Sequence, residues 1–466
     1  MKKTLSVTAT LCLLVSVLSS CGNTTPPAGD VQQNQADAPA PENTSGKIIV
    51  AEITTDMTDT ETAVSAFNAS HDIQADYRKY SENDDFYGDS AFERLNSEIQ
   101  SGSVPDVIIA SPEKIKKLNE SAVLTDLSPL LDSEEGLKRA DVLENVLSSL
   151  ETDGKIPAVY NGFILQTAAV RSDRYDSSFT NWSVEQALDA YNNLPYKGDL
   201  LYEQYSAKDV QGYLLKKAPL DCIDYKNRKC DFSKMLDIFS FLKTTDFQNR
   251  TELMSAMSSE ESSQFLKDMQ MKLMNYQALV GRIWIKGVND WYAVDYSRFG
   301  GSDITFVGYP SFNGNGAYTQ VDRMFAISEN CSDKAAAWEF ISLYFEDNAE
   351  IEMSTKKNML PVTKKSVNDL AYNAANIGTG SILSPCTLPD GSGYTISPEA
   401  VDQLVEYIST VKIEPWTDTE LENIISECCD EMFESKKTIN QVIETLNQRV
   451  SGYLFPETVK EEDEEQ

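Results

Sequence analysis

Hydrophobic and polar positions between residues 47 and 110 follow two periods in turn, one typical of strands and one typical of helices. Residues 47–51 (KIIVA) and 107–110 (VIIA) are short apolar runs that predict buried strands. Residues 59–70 and 90–101 place their apolar side chains at helical spacing, and residues 73–77 alternate between apolar and polar side chains. Strands that alternate with helices predict a parallel α/β sheet.

The N-terminal segment has a different pattern. A basic start, Met1-Lys-Lys3, precedes an apolar run over residues 5–18. The run is too short for a transmembrane helix, which needs about 20 residues, and its layout is that of an export signal. Leu18-Ser-Ser-Cys21 resembles the lipobox of bacterial lipoproteins. That resemblance implies removal of residues 1–20 and a lipid on the thiol of Cys21; an ordinary secretory signal cut elsewhere is the alternative.

Residues 22–46 predict a flexible linker. They are rich in Pro, Gly, Gln, Asn and Thr, contain no aromatic residue and have Val31 as their one branched aliphatic residue. Such a segment buries too little apolar surface to offset the entropy lost on ordering. Residues 456–466 predict a solvated acidic tail. The body between them, residues 47–455, is long enough for two domains.

Charge and composition limit the chemistry. The formal net charge of −33 opposes binding to nucleic acid and to anionic lipid headgroups, so we expect no nucleic-acid partner and a neutral or cationic ligand. His71 is the only histidine of the sequence, and the eight cysteines form no Cys-x-x-Cys pair. We therefore expect no metal and no cofactor. Cys222 and Cys230 flank a polar loop and either form a disulfide or remain free thiols.

Several segments, taken in order, carry a family resemblance. They are residues 101–109 (SGSVPDVII), 122–127 (AVLTDL), 155–160 (KIPAVY), 183–188 (SVEQAL), 323–328 (RMFAIS), 333–341 (DKAAAWEFI), 358–362 (NMLPV) and 424–454. Their succession, with the lipobox, resembles the extracellular solute-binding proteins of ABC transporters, family 1, which are similar to maltose-binding protein.

The resemblance implies a fold and a mode of action. Two α/β lobes are expected, joined by a three-segment hinge, with the ligand in the cleft between them. Residues 47–161 and 321–383 would form lobe one, and residues 162–320 and 384–455 lobe two. Binding would close the cleft by hinge motion, and a membrane permease would recognise the closed form. This role needs no catalytic residue, so we expect a monomeric, non-enzymatic binding protein outside the cytoplasm, held on the cell membrane by its lipid.

The commonest ligand class of this family is carbohydrate. Sugar rings need flat aromatic faces against their C–H groups and planar polar groups for their hydroxyls. Residues 282–294 form the best candidate segment, in which a strand-like stretch is followed by Trp291 and Tyr292. We expect Trp291 and Tyr292 to contact the ligand. Asn289 and Asp290 either donate and accept ligand hydrogen bonds or only form the turn.

Other candidate residues follow strands or occupy the expected crossovers, where ligands bind in open α/β sheets. They are Thr54, Thr55, Asp56, Tyr80, Ser111, Glu113, Tyr160 and Trp416. Arg323, at the second crossover, either donates a bidentate pair to a ligand or forms a salt bridge within the hinge.

Three alternatives remain open from the sequence. The ligand could be a peptide or a cationic small molecule, which an acidic cleft would suit. The protein could be a binding lipoprotein without a transport role. An extracellular glycoside hydrolase is the third, because 73 Asp and Glu residues could hide a catalytic carboxylate pair.

Overall fold

A computed structural model describes most of the predicted body. The described residues are 46–53, 58–80, 89–175, 181–194, 198–245, 250–287, 291–314, 316–376, 388–393, 396–416, 418–434 and 436–457. Residues 1–20, Cys21 and nearly all of the predicted linker and acidic tail lie outside these residues.

The strands of the described residues, in chain order, are β1 Lys47–Glu52, β2 Gln74–Lys79, β3 Val107–Ala110, β4 Gly162–Arg171, β5 Asp199–Leu201, β6 Ile223–Asp224, β7 Lys229–Cys230, β8 Ala278–Ile285, β9 Ile304–Phe306, β10 Tyr318–Gln320, β11 Met324–Ile327 and β12 Leu360–Pro361. The α-helices are α1 Thr58–Ser70, α2 Asp89–Gln100, α3 Pro112–Glu120, α4 Ser128–Leu131, α5 Glu144–Leu150, α6 Val184–Asn192, α7 Ala207–Leu214, α8 Leu236–Thr244, α9 Thr251–Ser255, α10 Ser259–Gln270, α11 Lys334–Ser342, α12 Asp347–Lys357, α13 Lys364–Asn376, α14 Pro398–Thr410, α15 Thr419–Phe433 and α16 Ile439–Leu454. Short 3-10 helices lie at Leu220–Cys222, Phe232–Met235 and Leu343–Phe345, and a π-helical turn at Trp291–Tyr296.

The first sheet has the strand order β11-β3-β1-β2. β1 is parallel to β2 and β3, whereas β11 is antiparallel to β3. All four residues of β3 and residues 48–51 of β1 are buried, which is why these stretches are continuous apolar runs. The strands and helices predicted between residues 47 and 110 are thus confirmed.

The second sheet has the strand order β10-β4-β8-β5, and β9 and β12 also pair with β4. Both faces of β4 are covered, because Leu165 and Ala169 pack in one core cluster while Ala168 and Val170 pack in another. The second cluster includes buried residues of α7, α8, α15 and α16. α14 lies on the opposite face, where Tyr407 stacks on Phe306 with ring centroids 3.9 Å apart.

Three chain crossings join the sheets and meet in one place. Asn161 precedes β4, Arg323 lies between β10 and β11, and Met359 precedes β12. These residues line a cavity of about 10 Å³ together with Gly162, Asp322, Met353 and Lys357. The carboxylate of Asp59, on α1, accepts hydrogen bonds from Arg323 Nη1 and Nη2 at 3.1 and 2.5 Å. Asp59 therefore fixes the second crossing to the first sheet.

The thiols of Cys222 and Cys230 are free. In the small hairpin of β6 and β7, Ile223 is the residue opposite Cys230. The two cysteines are therefore one position out of register, and Cys222 Sγ instead lies 3.6 Å from the carbonyl oxygen of Ala218. Of the two alternatives that the sequence left open, the structure has the free thiols.

Candidate functional site

A groove of about 950 Å³ lies between α5 and the elements that surround the second sheet. One side is lined by α5, at Glu144, Asn145, Ser148 and Ser149, and the other by Lys217, Leu220, Asp221, Ile223, Tyr225, Asn313 and Tyr318. The segment that connects α14 to α15, with the helix ends beside it, completes the lining at Ser409, Thr410, Lys412–Trp416, Asp418, Leu421 and Glu422. Because α5 precedes the first crossing and the other elements follow it, the groove is built from both halves of the protein.

Three aromatic side chains line this groove. Trp416 is half-buried, and its Nε1 donates to the carbonyl oxygen of Ser149 on α5 at 3.2 Å. Tyr225 is 62% exposed. Tyr318 is half-buried, and its hydroxyl donates to Glu422 Oε1 at 2.8 Å. The groove therefore offers flat apolar faces next to polar groups, an arrangement that suits small-molecule recognition.

A buried lysine connects the groove to the α14–α15 segment. Lys217 is 2% exposed and its Nζ binds the carboxylate of Glu414, which Lys412 Nζ also contacts at 3.0 Å. Burial alone would raise the pKa of Glu414, but the two lysines outweigh it and lower that pKa. Lys216 lies 3.5 Å from the ring centroid of Tyr318, and burial lowers its pKa.

The groove is lined by more acidic than basic side chains. Its carboxylates are Glu144, Asp221, Glu414, Asp418 and Glu422. Most of them already accept hydrogen bonds from protein groups. The donors are Phe312 N and Asn313 N for Asp221, Leu421 N and the Tyr453 hydroxyl for Asp418, Lys217 for Glu414, and Tyr318 for Glu422. Much of the hydrogen-bonding capacity of these carboxylates is thereby used within the protein.

Of the residues predicted to bind the ligand, Trp416 lines the groove. Trp291 is 1% exposed and packs on Phe306 and Tyr296, with centroid distances of 5.5 and 6.0 Å. Tyr292 is equally buried in the same core cluster. The structure therefore places Trp291 and Tyr292 in the core rather than along the groove, since the π-helical turn directs them against the sheet.

The two other predicted tyrosines are also buried. Tyr160 is enclosed among core residues, 3.5 Å from the hydroxyl of Ser149 and edge-on to Phe163. Tyr80 donates its hydroxyl to Glu98 at 2.5 Å, and Arg94 lies over its ring. Both rings pack within the protein and neither lines the groove.

The charged candidates have partners within the protein. Arg323 is 4% exposed and its guanidinium binds Asp59, which matches the hinge salt bridge that the sequence left open. Ser111 precedes α3 without a capping hydrogen bond, and Glu113 binds Lys117 Nζ at 2.7 Å.

Thr54, Thr55, Asp56, Asn289 and Asp290 lie outside the described residues. Sequence reasoning missed Tyr225, Tyr318 and Lys217. Tyr225 and Tyr318 stand in polar surroundings in the sequence, a signal that could have marked them as exposed rings. Within the described part of the chain, no three or more His, Cys, Asp or Glu side chains are grouped as metal ligands.

Two α/β halves joined by three crossings, with a groove lined by both, define the class of two-lobed binding proteins. The chain belongs to the family of bacterial extracellular solute-binding proteins, whose family model matches residues 62–377. This confirms the predicted class, an ABC-transporter solute-binding protein from a family of carriers rather than enzymes. It also confirms the predicted two-lobed α/β fold. Among curated protein sequences none matches this chain.

Solved structures share the fold. The family 1 extracellular solute-binding protein of Alicyclobacillus acidocaldarius is 15% identical, with a TM-score of 0.54, over 88% of this chain and 98% of that chain. The sugar-binding protein MalE of Xanthomonas citri is 12% identical, with a TM-score of 0.54, over 89% of this chain and 99% of that chain. Identities this low establish the fold and leave the ligand to be argued from the site.

Proposed function

We propose that this protein is the substrate-binding lipoprotein of an ABC importer, which captures a mono- or oligosaccharide in the groove and delivers it to the permease. The observation that carries the proposal is the groove itself, where Trp416, Tyr225 and Tyr318 stand beside hydrogen-bonded polar side chains. Its volume of about 950 Å³ is in the range of small-molecule sites. The Xanthomonas citri neighbour is described as a sugar-binding protein, which agrees with this ligand class.

A neutral ligand rich in hydroxyl groups suits the partly satisfied polar groups of the groove. The excess of carboxylates also attracts cations, so a peptide amine or a polyamine is the alternative ligand. Asp221 accepts two backbone N–H groups, and Glu414 is bound by two lysines. A sugar hydroxyl both donates and accepts, so it can add to such partly satisfied groups without introducing charge.

The proposal includes the cellular setting. We propose residues 47–161 and 321–383 as lobe one and residues 162–320 and 384–455 as lobe two, with the third crossing beginning at β12, which pairs with β4, and ending at residue 383. The extracellular family supports a place outside the cytoplasm. In the described residues, helices are neither long nor apolar enough to span a membrane. We propose that a lipid on Cys21 holds the monomeric protein at the cell membrane.

The test is a titration of the purified protein lacking its lipid anchor, residues 22–466, with a panel of saccharides, peptides and polyamines. A ligand of the folded state raises the melting temperature as its concentration exceeds its Kd. We expect saccharides to do so and to be recovered unchanged. A shift with polyamines or peptides alone would establish the alternative ligand class.

Trp416→Ala then locates the site. We expect it to weaken saccharide binding by about 1–3 kcal/mol, the scale of one large apolar contact. The matched control is Leu266→Ala, which removes an apolar side chain that is 42% exposed on α10 and does not line the groove. Equal affinity of Trp416→Ala and the wild type would show that the ligand binds elsewhere.

A further inference from the structure

A cluster of cations lies at the end of the β6–β7 hairpin, on a protein that is otherwise strongly acidic. The chain has a formal net charge of −33, yet Lys226, Arg228 and Lys229 stand close together there and all are exposed. We call these three residues the basic tip. Tyr225 precedes them on the same hairpin and lines the groove.

The hairpin does not neutralise its own basic tip. The acid of residues 223–230 is Asp224, and it accepts hydrogen bonds from Asn227 N and Nδ2 at 3.0 and 2.6 Å. Among the described residues, Lys226 and Lys229 form no ion pair. Three cations thus stand against one carboxylate, and the tip keeps a positive charge that an acidic segment can cover.

The chain leaves α16 directly beside the basic tip. Phe455 follows this helix, is 5% exposed and lies edge-on to Tyr225, with ring centroids 6.3 Å apart. The guanidinium of Arg228 lies 5.9 Å from the centroid of the Phe455 ring. Arg228 Nη2 is also 3.7 Å from Oε2 of Glu457. The first carboxylate after α16 therefore already contacts the tip.

The backbone of Arg228 agrees with a role for this contact. Its φ of 53° lies in the left-handed region, which is uncommon for residues other than glycine and asparagine. Such a conformation persists only where the surrounding structure holds it. Here the side chain is held between Phe455 and Glu457.

The rest of the tail has the charge and the length to cover the basic tip. Residues 458–466, outside the described part of the chain, contain five acids and one base. Nine extended residues span about 30 Å. Lys226 and Lys229 are within two residues of Arg228, so a segment that starts at Glu457 reaches both.

We propose that residues 458–466 dock on the basic tip and thereby brace the β6–β7 hairpin. The hairpin needs support, because each of its strands has two residues and an isolated hairpin is marginally stable at best. Since Tyr225 belongs to this hairpin, the tail steadies one ring of the groove from outside it. That effect on the ligand rests on the proposed function, whereas the docking itself does not.

Hydrogen exchange followed by mass spectrometry tests the docking on residues 22–466 without any ligand. Two variants are compared with this chain: one that ends at Glu457, and one of full length whose five tail acids are replaced by the corresponding amides. We expect the backbone amides of residues 223–230 to exchange about fivefold faster in both, the scale of a few exposed ion pairs. About 1 M NaCl, where the Debye length is about 3 Å, should remove the difference.

Single substitutions locate the contact. Arg228→Gln should speed the exchange of the hairpin, whereas Arg228→Lys, which keeps the charge, should retain most of the protection. The matched control is Arg139→Gln, which removes an exposed cation paired with Asp132 in another part of the chain and should leave the hairpin unchanged. Unchanged exchange of β4 would show that each variant is folded.

The outcomes separate this inference from the proposed function. Equal exchange of the hairpin with and without the tail overturns the docking, whatever the groove binds. Protection that disappears on dilution assigns the contact to the tail of a second copy and overturns a brace within one chain.

Saccharide binding then tests the effect on the groove. The chain that ends at Glu457 should bind more weakly than the full chain, by at most about the same fivefold factor, since coupling cannot exceed the free energy of docking. Equal affinity of the two chains would overturn the effect on Tyr225. If neither chain binds a saccharide, the proposed function falls while the docking, measured without ligand, stands.

Discussion

The ion pair of Arg323 and Asp59 offers a quantitative test of the hinge. Arg323 is 4% exposed, whereas the side chain of Asp59 is 36% exposed. Removing one partner of a fully buried pair costs about 3–5 kcal/mol, because the other charge is left unpaired. Water screens Asp59 in part, so we expect Asp59→Asn to cost about 2 kcal/mol of unfolding free energy. The ion pair of Lys357 Nζ with Asp59 Oδ2, at 3.3 Å, is weakened in the same variant.

Urea denaturation followed by circular dichroism measures this cost. Arg323→Met should also destabilise, and the double variant of Asp59→Asn with Arg323→Met should lose less than the sum, since the guanidinium is no longer left buried without its carboxylate. The control is Asp132→Asn, which breaks an exposed pair with Arg139 and should cost less than about 1 kcal/mol. If Asp59→Asn loses no more than Asp132→Asn, the reasoning about the buried guanidinium is refuted.

The pH dependence follows from the same pair. Burial alone would raise the pKa of Asp59, but Arg323 and Lys357 outweigh burial and hold that pKa below its ordinary value of 3.8. The stabilisation is therefore complete above the ordinary value and is lost as the pH falls through the lowered pKa of the folded state. The stability difference between wild type and Asp59→Asn should be constant from about pH 7 to pH 5 and shrink below about pH 4.

Two further variants test the core and the groove. Trp291→Ala should lower the unfolding free energy by about 3–5 kcal/mol, because it removes a buried indole from the core; thermal unfolding measures the loss. A variant that stays as stable as the wild type but loses saccharide affinity would contradict the placement of Trp291 in the core. Glu414→Gln should lower the melting temperature, because it leaves the charge of Lys217 buried without its carboxylate. Adding Lys217→Met should restore part of the melting temperature. If the double variant melts no higher than Glu414→Gln, the two side chains are not coupled.

The sequence predicted those parts of the fold that depend on local periodicity. The strand at residues 107–110 is found as predicted because an apolar run bounded by turn residues has few other solutions. The helix that begins at Thr58 follows from its regularly spaced apolar side chains. The order of weak motifs added the two-lobed fold, which no single segment specifies.

The site was harder to predict because it depends on tertiary pairing. Asp59 and Arg323 are 264 residues apart, so no local pattern indicates their contact. Trp284 and Trp291 lie in one segment, yet Trp284 on β8 is 46% exposed whereas Trp291 in the π-helical turn is 1% exposed. The π-helical turn at Trp291–Tyr296 has no comparable signal in the sequence.

The position of Trp416 suggests how ligand binding would be coupled to hinge motion. Its Nε1 binds the carbonyl oxygen of Ser149 on α5, while Glu414, two residues earlier, binds Lys217 on the other side of the groove. Asn145 on α5 also donates to the carbonyl oxygens of Ile408 and Val411. The α14–α15 segment is thus attached to both halves. A ligand that contacts Trp416 binds where this segment joins the two halves. Its affinity therefore depends on how the two halves are positioned. By linkage, binding of the ligand then favours the relative position of the halves to which it binds more tightly.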